Sequence, residues 1–317
     1  MNCSHWRSSY QLVGSTFKLI ITSLFLSQSP STFGQLIDNK TGVALLDEAP
    51  YFSPKFIKAA KIKSIQGDFS YKKQSDVIRN SKYVTVYEFD TLGRLVLHYS
   101  TAKGDVKSDT TVYTYAYNQA GLLISKRISE KKGFLATDYY YNEEQQLIKE
   151  ETWREIDTLH SKIRPVIERR LPWNTETMTY AETTGERTKK IFSSDGINYL
   201  EKKTVTDSLG YKTREELRYT FSSNKLTTYY RYDELKRIVI IEQFRNLDSI
   251  PANEQRFQYD QYGNLIAKAS FRNGQQFLDE QVIYSSETGL LYSFIKREIP
   301  SNFITITRFN KFTFWDK

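Results

Sequence analysis

Apolar and polar residues alternate along much of this chain. Tyr87 and Phe89 flank Glu88, and Asp90 follows at once. The same aromatic spacing recurs ahead of three later positions: Asn118, Asp233 and Asp260. A period of two is typical of one face of a β-strand. Short apolar runs follow these positions, and the helical spacing of i, i+3, i+4 and i+7 is not sustained. The pattern therefore predicts pairs of strands separated by turns.

A short turn sequence lies between the two strands of each predicted pair. In the clearest copy Asp90 begins the turn and Gly93 follows three residues later. An Asp or Asn at the first position of a type I turn caps the following backbone, and a glycine three residues on accepts positive φ at little steric cost. We interpret the Asp residues as turn caps. Gln145 and Lys236 replace the glycine in two copies, so we expect strain or a different shape there.

The turn recurs at a nearly constant spacing. Eight copies begin at Asp90, Asn118, Asn142, Glu182, Asp207, Asp233, Asp260 and Ser286. Successive copies lie 24 to 28 residues apart, except for one step of 40 residues (182 − 142). A fixed period is the signature of a repeat architecture, and the long step places an insertion after Asn142. Second turn signals fall between copies, at Lys103-Gly104-Asp105, Lys132-Gly133 and Asn273-Gly274.

The repeated cassette resembles the YD repeat of the Rhs and teneurin families, whose pattern is roughly Tyr-x-Tyr-Asp-x-x-Gly-Arg-Leu. Asp90 to Leu95 match the second part of this pattern residue for residue, and the copy at Asp260 departs from it only at Asn264. The resemblance covers residues 83–292 in patches. It implies β-hairpin repeats, which in those families roll into a large shell around a cargo. This chain is too short for such a shell, and it is also similar to small secreted Bacteroidetes proteins with such repeats.

We therefore predict an all-β fold: an elongated, twisted antiparallel meander of about eight YD-like hairpin repeats over residues 81–317. In such an array each repeat contacts mainly its neighbours. The sequence leaves open whether the sheet curls closed. An irregular insertion, either a loop or an elongated hairpin, is expected at about residues 151–179, where Trp153 and Trp173 would cover one sheet face. Residues 303–309 are expected to form a closing strand.

The N-terminal residues 1–34 resemble a signal peptide. Arg7 and Lys18 precede an apolar stretch at residues 19–26, and small residues allow cleavage before Gln35. The single cysteine, Cys3, lies in this segment, so the mature chain would have no disulfide. We expect residues 35–80 to form a leader with the first strands. The expected location is secreted, periplasmic or cell-surface, with no transmembrane segment after signal removal.

The net charge of the chain is modest. Lys and Arg number 45 and Asp and Glu number 37, so loss of Arg7 and Lys18 would leave (45 − 2) − 37 = +6. Dispersed lysine pairs indicate a solvated surface and protected strand edges. The alternative is attraction to anionic polysaccharide, lipid headgroups or nucleic acid. We expect no nucleic-acid partner.

Groups that carry enzyme chemistry are sparse in this sequence. The histidines are His5, His98 and His160, with no metal-ligand spacing, and there is no nucleophile elbow or phosphate-binding glycine loop. We expect no cofactor, no metal and no enzymatic activity. One alternative stays open, a polysaccharide-acting enzyme whose carboxylates meet across strands. Another, an outer-membrane barrel, is disfavoured because strands such as residues 125–130 are polar on both faces.

The most prominent candidates for binding are aromatic residues interleaved with basic ones. Tyr230, Arg231 and Tyr232 form one such group, and Trp153 and Trp173 in the insertion form a second. Aromatic faces can stack on sugar rings, although cross-strand packing also explains aromatic rows. The sequence thus predicts an exported, non-catalytic scaffold or binding module with a glycan or a surface protein as partner. It does not define the oligomeric state.

Overall fold

A computed structural model describes residue 37 and residues 52–102, 110–158, 162–163 and 165–316. These residues form one short helix, α1 (Pro54–Ala59), and eighteen strands. The strands are β1 (Ile62–Lys72), β2 (Arg79–Phe89), β3 (Leu95–Ala102), β4 (Thr111–Tyr117), β5 (Leu123–Glu130), β6 (Gly133–Tyr141), β7 (Leu147–Asp157), β8 (Ile167–Thr183), β9 (Glu186–Phe192), β10 (Asn198–Thr206), β11 (Lys212–Tyr219), β12 (Lys225–Tyr232), β13 (Ile238–Arg245), β14 (Asn253–Tyr259), β15 (Leu265–Arg272), β16 (Gln275–Tyr284), β17 (Leu291–Glu298) and β18 (Phe303–Phe314).

The prediction of an all-β fold is confirmed. The predicted signal peptide of residues 1–34 lies outside the described residues, as do the turn signal Lys103-Gly104-Asp105 and His160. Residue 37 contributes an isolated bridge, in which Ile37 pairs with Phe52 just ahead of α1.

The sheet closes on itself, so the prediction of an elongated, twisted meander of hairpin repeats is wrong. From β2 to β18 each strand pairs antiparallel with the next along the chain. Strand β1 pairs with β2 on one side and with β18 on the other, which completes a closed eighteen-stranded barrel. Closure removes both sheet edges, whose unpaired N–H and C=O groups would otherwise be open to other chains.

The strand that completes the barrel, β1, carries no copy of the repeat. Strand β1 lies ahead of the first cassette, and its pairing with β18 extends from Ile62↔Phe314 to Lys72↔Ile304. The strand therefore has ten residues paired with the opposite end of the sequence. Such a long-range pairing is not encoded in the local turn chemistry from which the meander was predicted. This is the physical reason why the repeat alone gave an incomplete architecture.

The cassettes form turns at one end of the barrel, which we call the cassette end. Because successive strands run in opposite directions, every second turn falls at this end. In the first turn the Asp90 Oδ1 atom accepts hydrogen bonds from the backbone N–H groups of Leu92 and Arg94, both at 2.9 Å. Gly93 has a φ of 82°. The interpretation of Asp90 as a turn cap is confirmed.

The two turns without glycine have the same left-handed backbone. Gln145 has a φ of 60° and Lys236 a φ of 63°, close to the values at the glycine positions. The left-handed conformation costs a residue with a Cβ atom about 1–2 kcal/mol. The expected strain is therefore present at Gln145 and Lys236.

Tyrosines link four of the repeats to the one before, those that begin at Asn118, Asn142, Asp233 and Asp260. In these copies the residue ahead of the Asp or Asn is a tyrosine. Its hydroxyl donates to the backbone carbonyl of the first residue after the preceding cassette-end turn. Examples are Tyr117 to Leu95 at 2.9 Å, Tyr232 to Lys212 at 2.7 Å and Tyr259 to Ile238 at 2.6 Å. These aromatic side chains thus have a structural role at a fixed register.

The main core lies on one face of the sheet, which we call the inner face. Buried side chains from β13–β18, β1 and β2 form one cluster with Phe52 and with Ile57 of α1. The Phe52 ring packs edge-on against Tyr87 and Phe89, with centroid distances of 5.0 and 5.2 Å. Leader residues therefore cover the inner face near the cassette end. There the first turn approaches α1 closely enough to require Gly93.

Residues 151–179, the predicted insertion, fall on the hairpin of β7 and β8. These are long strands of 11 and 17 residues. Between these strands, Lys162 contacts the residue ahead of β4, since its Nζ atom donates to the Thr110 carbonyl at 2.7 Å. Glu155 is fully buried on this hairpin, and it forms ion pairs with Arg127 and Arg170 at 2.8 and 3.0 Å. Paired charges thus hold the hairpin against its neighbours.

Candidate binding pocket

A cavity of about 660 Å³, lined by both polar and apolar residues, lies between strands β13 and β17, next to the turn that joins β17 to β18. This turn is at the end of the barrel opposite the cassette end. The cavity is within the size range of small-molecule sites in proteins, roughly 300–1,000 Å³. Its uncharged lining residues include Gln243, Asn253, Gln255, Ser270, Phe277 and Ser301.

Strand register places a row of charged side chains on the inner face, next to the cavity. Phe257 of the core pairs directly with Lys268, which pairs with Glu280, which in turn pairs with Lys296. Directly opposed residues of an antiparallel sheet project to the same face. A row of three charged residues therefore extends from the core across β15, β16 and β17, and it borders the cavity.

Lys268 and Glu280 form a buried ion pair. Their side chains are each 4% exposed, and the Lys268 Nζ atom lies 2.5 Å from Glu280 Oε2. Two charges removed from water are tolerated only when each compensates the other, and loss of one partner leaves the second uncompensated. The pair therefore holds Lys268, which lines the cavity, in place.

Hydrogen bonds and one ring contact orient other groups of the cavity. The Asn253 side-chain amide donates to Gln243 Oε1 at 2.8 Å. The Ser301 hydroxyl donates to Glu298 Oε2 at 2.9 Å. The Arg272 guanidinium lies over the Phe277 ring, 4.8 Å from its centroid. Amide and hydroxyl groups that both donate and accept hydrogen bonds are suited to a ligand rich in hydroxyl groups.

The residues predicted from the sequence for binding occupy two separate parts of the barrel. Tyr230 and Tyr232 on β12 pack against the inner core. Burial raises the pKa of Tyr230, and the nearby Glu215 carboxylate raises it further. Arg231 between them is exposed and donates to Glu242 Oε2 at 2.7 Å. The structure thus separates the three residues onto two faces of one strand.

The two predicted tryptophans lie on the β7–β8 hairpin. The Arg170 guanidinium covers the Trp153 ring at 4.8 Å from the centroid, and Arg154 covers the Trp173 ring at 4.6 Å. Trp173 is 62% exposed. Three strands, β9 to β11, lie between this hairpin and β12, so the tryptophans and the tyrosines do not form one surface. Their role in binding stays a prediction.

Sequence reasoning missed the charged residues that line the cavity, and it missed Glu280, which pairs with one of them. The lining residues are Glu254, Lys268, Arg272, Lys296 and Glu298. Charged side chains on strands were interpreted as solvated surface. One signal was present, since Lys268 lies between two alanines, Ala267 and Ala269, and follows the apolar residues Leu265 and Ile266.

A second group of polar residues lies on the inner face of β7 to β9. Glu150 and Glu176 are directly opposed on β7 and β8, and the Tyr199 hydroxyl donates to Glu176 Oε1 at 2.8 Å. Partial burial raises the pKa of Glu150; the Glu176 carboxylate adds to this, and the Lys189 ammonium opposes it. This pair is an instance of carboxylates that meet across strands, the arrangement that the sequence left open.

Neither metal ligands nor membrane-spanning helices are found in the described part of the chain. Residues 52–102, 110–158, 162–163 and 165–316 contain no group of three or more His, Cys, Asp and Glu side chains that could hold a metal ion. In the same residues no helix has the length and apolarity that a membrane crossing requires.

Comparison with known proteins gives distant structural similarity only. No protein-family model matches the chain, and no curated protein matches it significantly. The crystal structure of TcdB2-TccC3-Cdc42 is 14% identical with a TM-score of 0.30; the match covers 77% of this chain and 14% of that one. A porin-like protein from Bacteroides uniformis is 10% identical with a TM-score of 0.37, over 79% and 97% of the two chains.

A porin-like protein from Bacteroides vulgatus gives a similar result, with 10% identity, a TM-score of 0.32 and coverage of 77% and 96%. The chain spans about a seventh of the TcdB2-TccC3-Cdc42 chain that it matches. At these scores the neighbours carry no argument about function, and the resemblance to YD-repeat proteins stays a resemblance.

Proposed function

We propose that this protein is an exported, non-catalytic binding module, periplasmic or at the cell surface, whose inner pocket binds a saccharide. The observation that carries the proposal is the cavity of about 660 Å³ between β13 and β17. Its amide, hydroxyl and charged groups match the many hydroxyl groups of a sugar, and Phe277 supplies an aromatic surface.

Charges on the outer face support a module that works in water. Outward positions on β12 to β17 carry ion pairs such as Arg231–Glu242 at 2.7 Å and Arg297–Asp279 at 3.7 Å. The predicted signal peptide supports export. A surface protein is the other partner class that the sequence predicted, and no pocket of this size is needed to bind one.

A glycan array probed with the full chain tests the proposal. We expect binding that is lost in Gln255→Trp, because the larger side chain fills the cavity from the inner face. Gln258→Trp is the matched control, since Gln258 is exposed on the outer face of the same strand. Wild-type protein that binds no saccharide, or Gln255→Trp protein that binds as wild type does, would contradict the proposal.

Hydrolysis of a polysaccharide is a second candidate function, favoured by the Glu150–Glu176 pair. Glycoside hydrolases use two carboxyl groups roughly 5–10 Å apart, one of them with a raised pKa as the general acid. Glu150 would be the acid and Glu176 the base or nucleophile. A reducing-sugar assay should then show activity that Glu150→Gln and Glu176→Gln abolish and that Glu151→Gln on the outer face retains. Absence of activity in wild-type protein would remove this candidate.

A further inference from the structure

The charged groups of the cavity do not balance. The inner-face residues that line it or close its base include three basic ones, Lys268, Arg272 and Lys296, and two acidic ones, Glu280 and Glu298, which gives an excess of 3 − 2 = +1. A sixth charged residue, Glu254, also lines the cavity, but it alternates with the inward Gln255 and is paired with Arg256. It therefore compensates a charge outside the cavity.

Apart from the buried pair, the cavity has two basic groups, Lys296 and Arg272, against one carboxylate, that of Glu298. Lys268 and Glu280 compensate each other in the buried pair. Among the described residues, no carboxylate oxygen lies within 4.0 Å of the Lys296 ammonium or the Arg272 guanidinium as an ion-pair partner. Lys296 lies across β16 from Lys268, so its nearest carboxylate along the row, Glu280, is already bound.

The two basic groups lie on opposite sides of one strand. Arg272 is on β15 and Lys296 is on β17, and both line the same cavity on either side of β16. The Phe277 ring holds the Arg272 guanidinium from one side. A guanidinium presents a planar set of donors that matches a carboxylate or a sulfate, and an ammonium adds a point charge. Arg272 is exposed and Lys296 is half-buried. The Lys296 ammonium is thus partly desolvated, and an anionic ligand offsets that cost.

We propose that the pocket selects an anionic saccharide and binds its carboxylate or sulfate group through Lys296 and Arg272. This inference rests on the proposed function and names the ligand class of the same site. Neutral saccharides would make the hydrogen bonds to the amide and hydroxyl groups alone and would leave both basic groups without a counter-ion.

Titration calorimetry with three matched probes tests this inference on the full chain. The probes are a galacturonate trisaccharide, its methyl ester, which has the same shape without charge, and a sulfated galactose trisaccharide. We expect at least one anionic probe to bind ten or more times more tightly than the ester at low salt. Tighter binding by the first or the third probe identifies carboxylate or sulfate as the source of the charge.

Variants locate the selectivity within the cavity. Lys296→Gln and Arg272→Gln should each reduce anionic binding about tenfold and leave binding of the ester unchanged, whereas Lys296→Arg should retain most of the affinity. Arg297→Gln is the matched control, because Arg297 follows Lys296 on the same strand and pairs with Asp279 on the outer face. Thermal melting verifies that each variant folds.

Three results would overturn the inference in different ways. Binding of the methyl ester as tight as that of the anionic probes would refute anion selection and leave the binding module intact. Failure of the wild-type protein to bind any of the probes, together with a blank glycan array, would refute the proposed function itself. Equal losses in Arg297→Gln and Lys296→Gln would show that the effect is one of overall charge.

Discussion

The Ser64 hydroxyl of β1 and the Thr313 hydroxyl of β18 share a hydrogen bond of 2.6 Å, although 249 positions of the sequence separate them. The contact belongs to the pairing that closes the barrel. It means that neither end of the sheet exposes a free edge. The pocket depends on this closure because β13 to β17 form its wall and the inner core packs β1 and β2 against them.

Closure predicts a cross-link between these two positions. In a Cys3→Ser background, Ser64→Cys with Thr313→Cys should form a disulfide, since side chains in contact meet the short Cβ separation that a disulfide requires. Non-reducing electrophoresis detects the looped form. Ser64→Cys with Thr188→Cys is the control, because Thr188 lies on β9, across the ring. A fully reduced Ser64/Thr313 pair under oxidation would argue against a closed sheet.

The contact of the first turn with α1 predicts unequal effects of two similar substitutions. Gly93 and Gly121 have almost the same φ, 82° and 84°. A Cβ atom at Gly93 would lie 2.2 Å from the Pro54 carbonyl oxygen, whereas nothing lies within 4 Å of a Cβ at Gly121.

Gly121→Ala should therefore lower the free energy of unfolding by about 1–2 kcal/mol through backbone strain. Gly93→Ala should lower it by about 1–3 kcal/mol more through the clash with α1. Urea denaturation measures both. Equal losses would mean that α1 does not pack on this turn.

The sequence predicts those features of the structure whose residues lie close together along the chain, and it does not predict contacts between distant segments. The turn at Asp90 is encoded within five residues, so its cap and the positive φ of Gly93 follow from local chemistry. Alternation likewise predicts the strands and hence the all-β fold. The pairing of Ile62 with Phe314 has no local signal, and closure was therefore not predicted.

The pocket illustrates the same limit. Lys268, Glu280 and Lys296 lie on three different strands, and only the register of two pairings aligns them on one face. Without that register each charge resembles an ordinary surface residue. The aromatic cassette positions were easier to find because they repeat, yet Tyr232 donates to a backbone carbonyl and packs against the core.

The buried pair at the base of the pocket predicts a large loss of stability when it is broken. Lys268→Met should cost about 3–5 kcal/mol because Glu280 is left buried without a counter-charge. Lys268→Met with Glu280→Leu should recover most of that loss. Arg297→Met removes an exposed pair and should cost at most about 1 kcal/mol. Urea denaturation at pH 7 distinguishes these cases, and a single Lys268→Met variant as stable as Arg297→Met would contradict the burial.

His98 predicts a pH dependence of stability. Its ring stacks between Tyr87 and Tyr113, at centroid distances of 4.6 and 5.4 Å. Burial lowers the pKa of His98 to about 4, from 6.5 for an exposed histidine. Between these values the unfolded chain binds a proton that the folded protein excludes. The contribution of His98 to the free energy of unfolding is therefore fully present above pH 6.5. It decreases by about 3 kcal/mol as the pH falls toward 4.

His98→Phe keeps a ring in the stack and removes this titration. The difference in unfolding free energy between pH 7 and pH 4 should then be smaller than in wild type by about 3 kcal/mol. Both proteins carry the same carboxyl groups, so their difference isolates the histidine. Parallel pH profiles for the two proteins would show that His98 titrates normally in the folded state.

Hydrogen–deuterium exchange with and without bound saccharide tests the central claim, that the inner cavity is the binding site. With the galacturonate trisaccharide as probe, we predict slower exchange in β14 to β17, above all around Ser270 and Lys296, and no change in the cassette-end turns. The Gln255→Trp variant should show no protection. Protection confined to the β7–β8 hairpin around Trp173, or to the outer face of β12 at Arg231, would contradict the account.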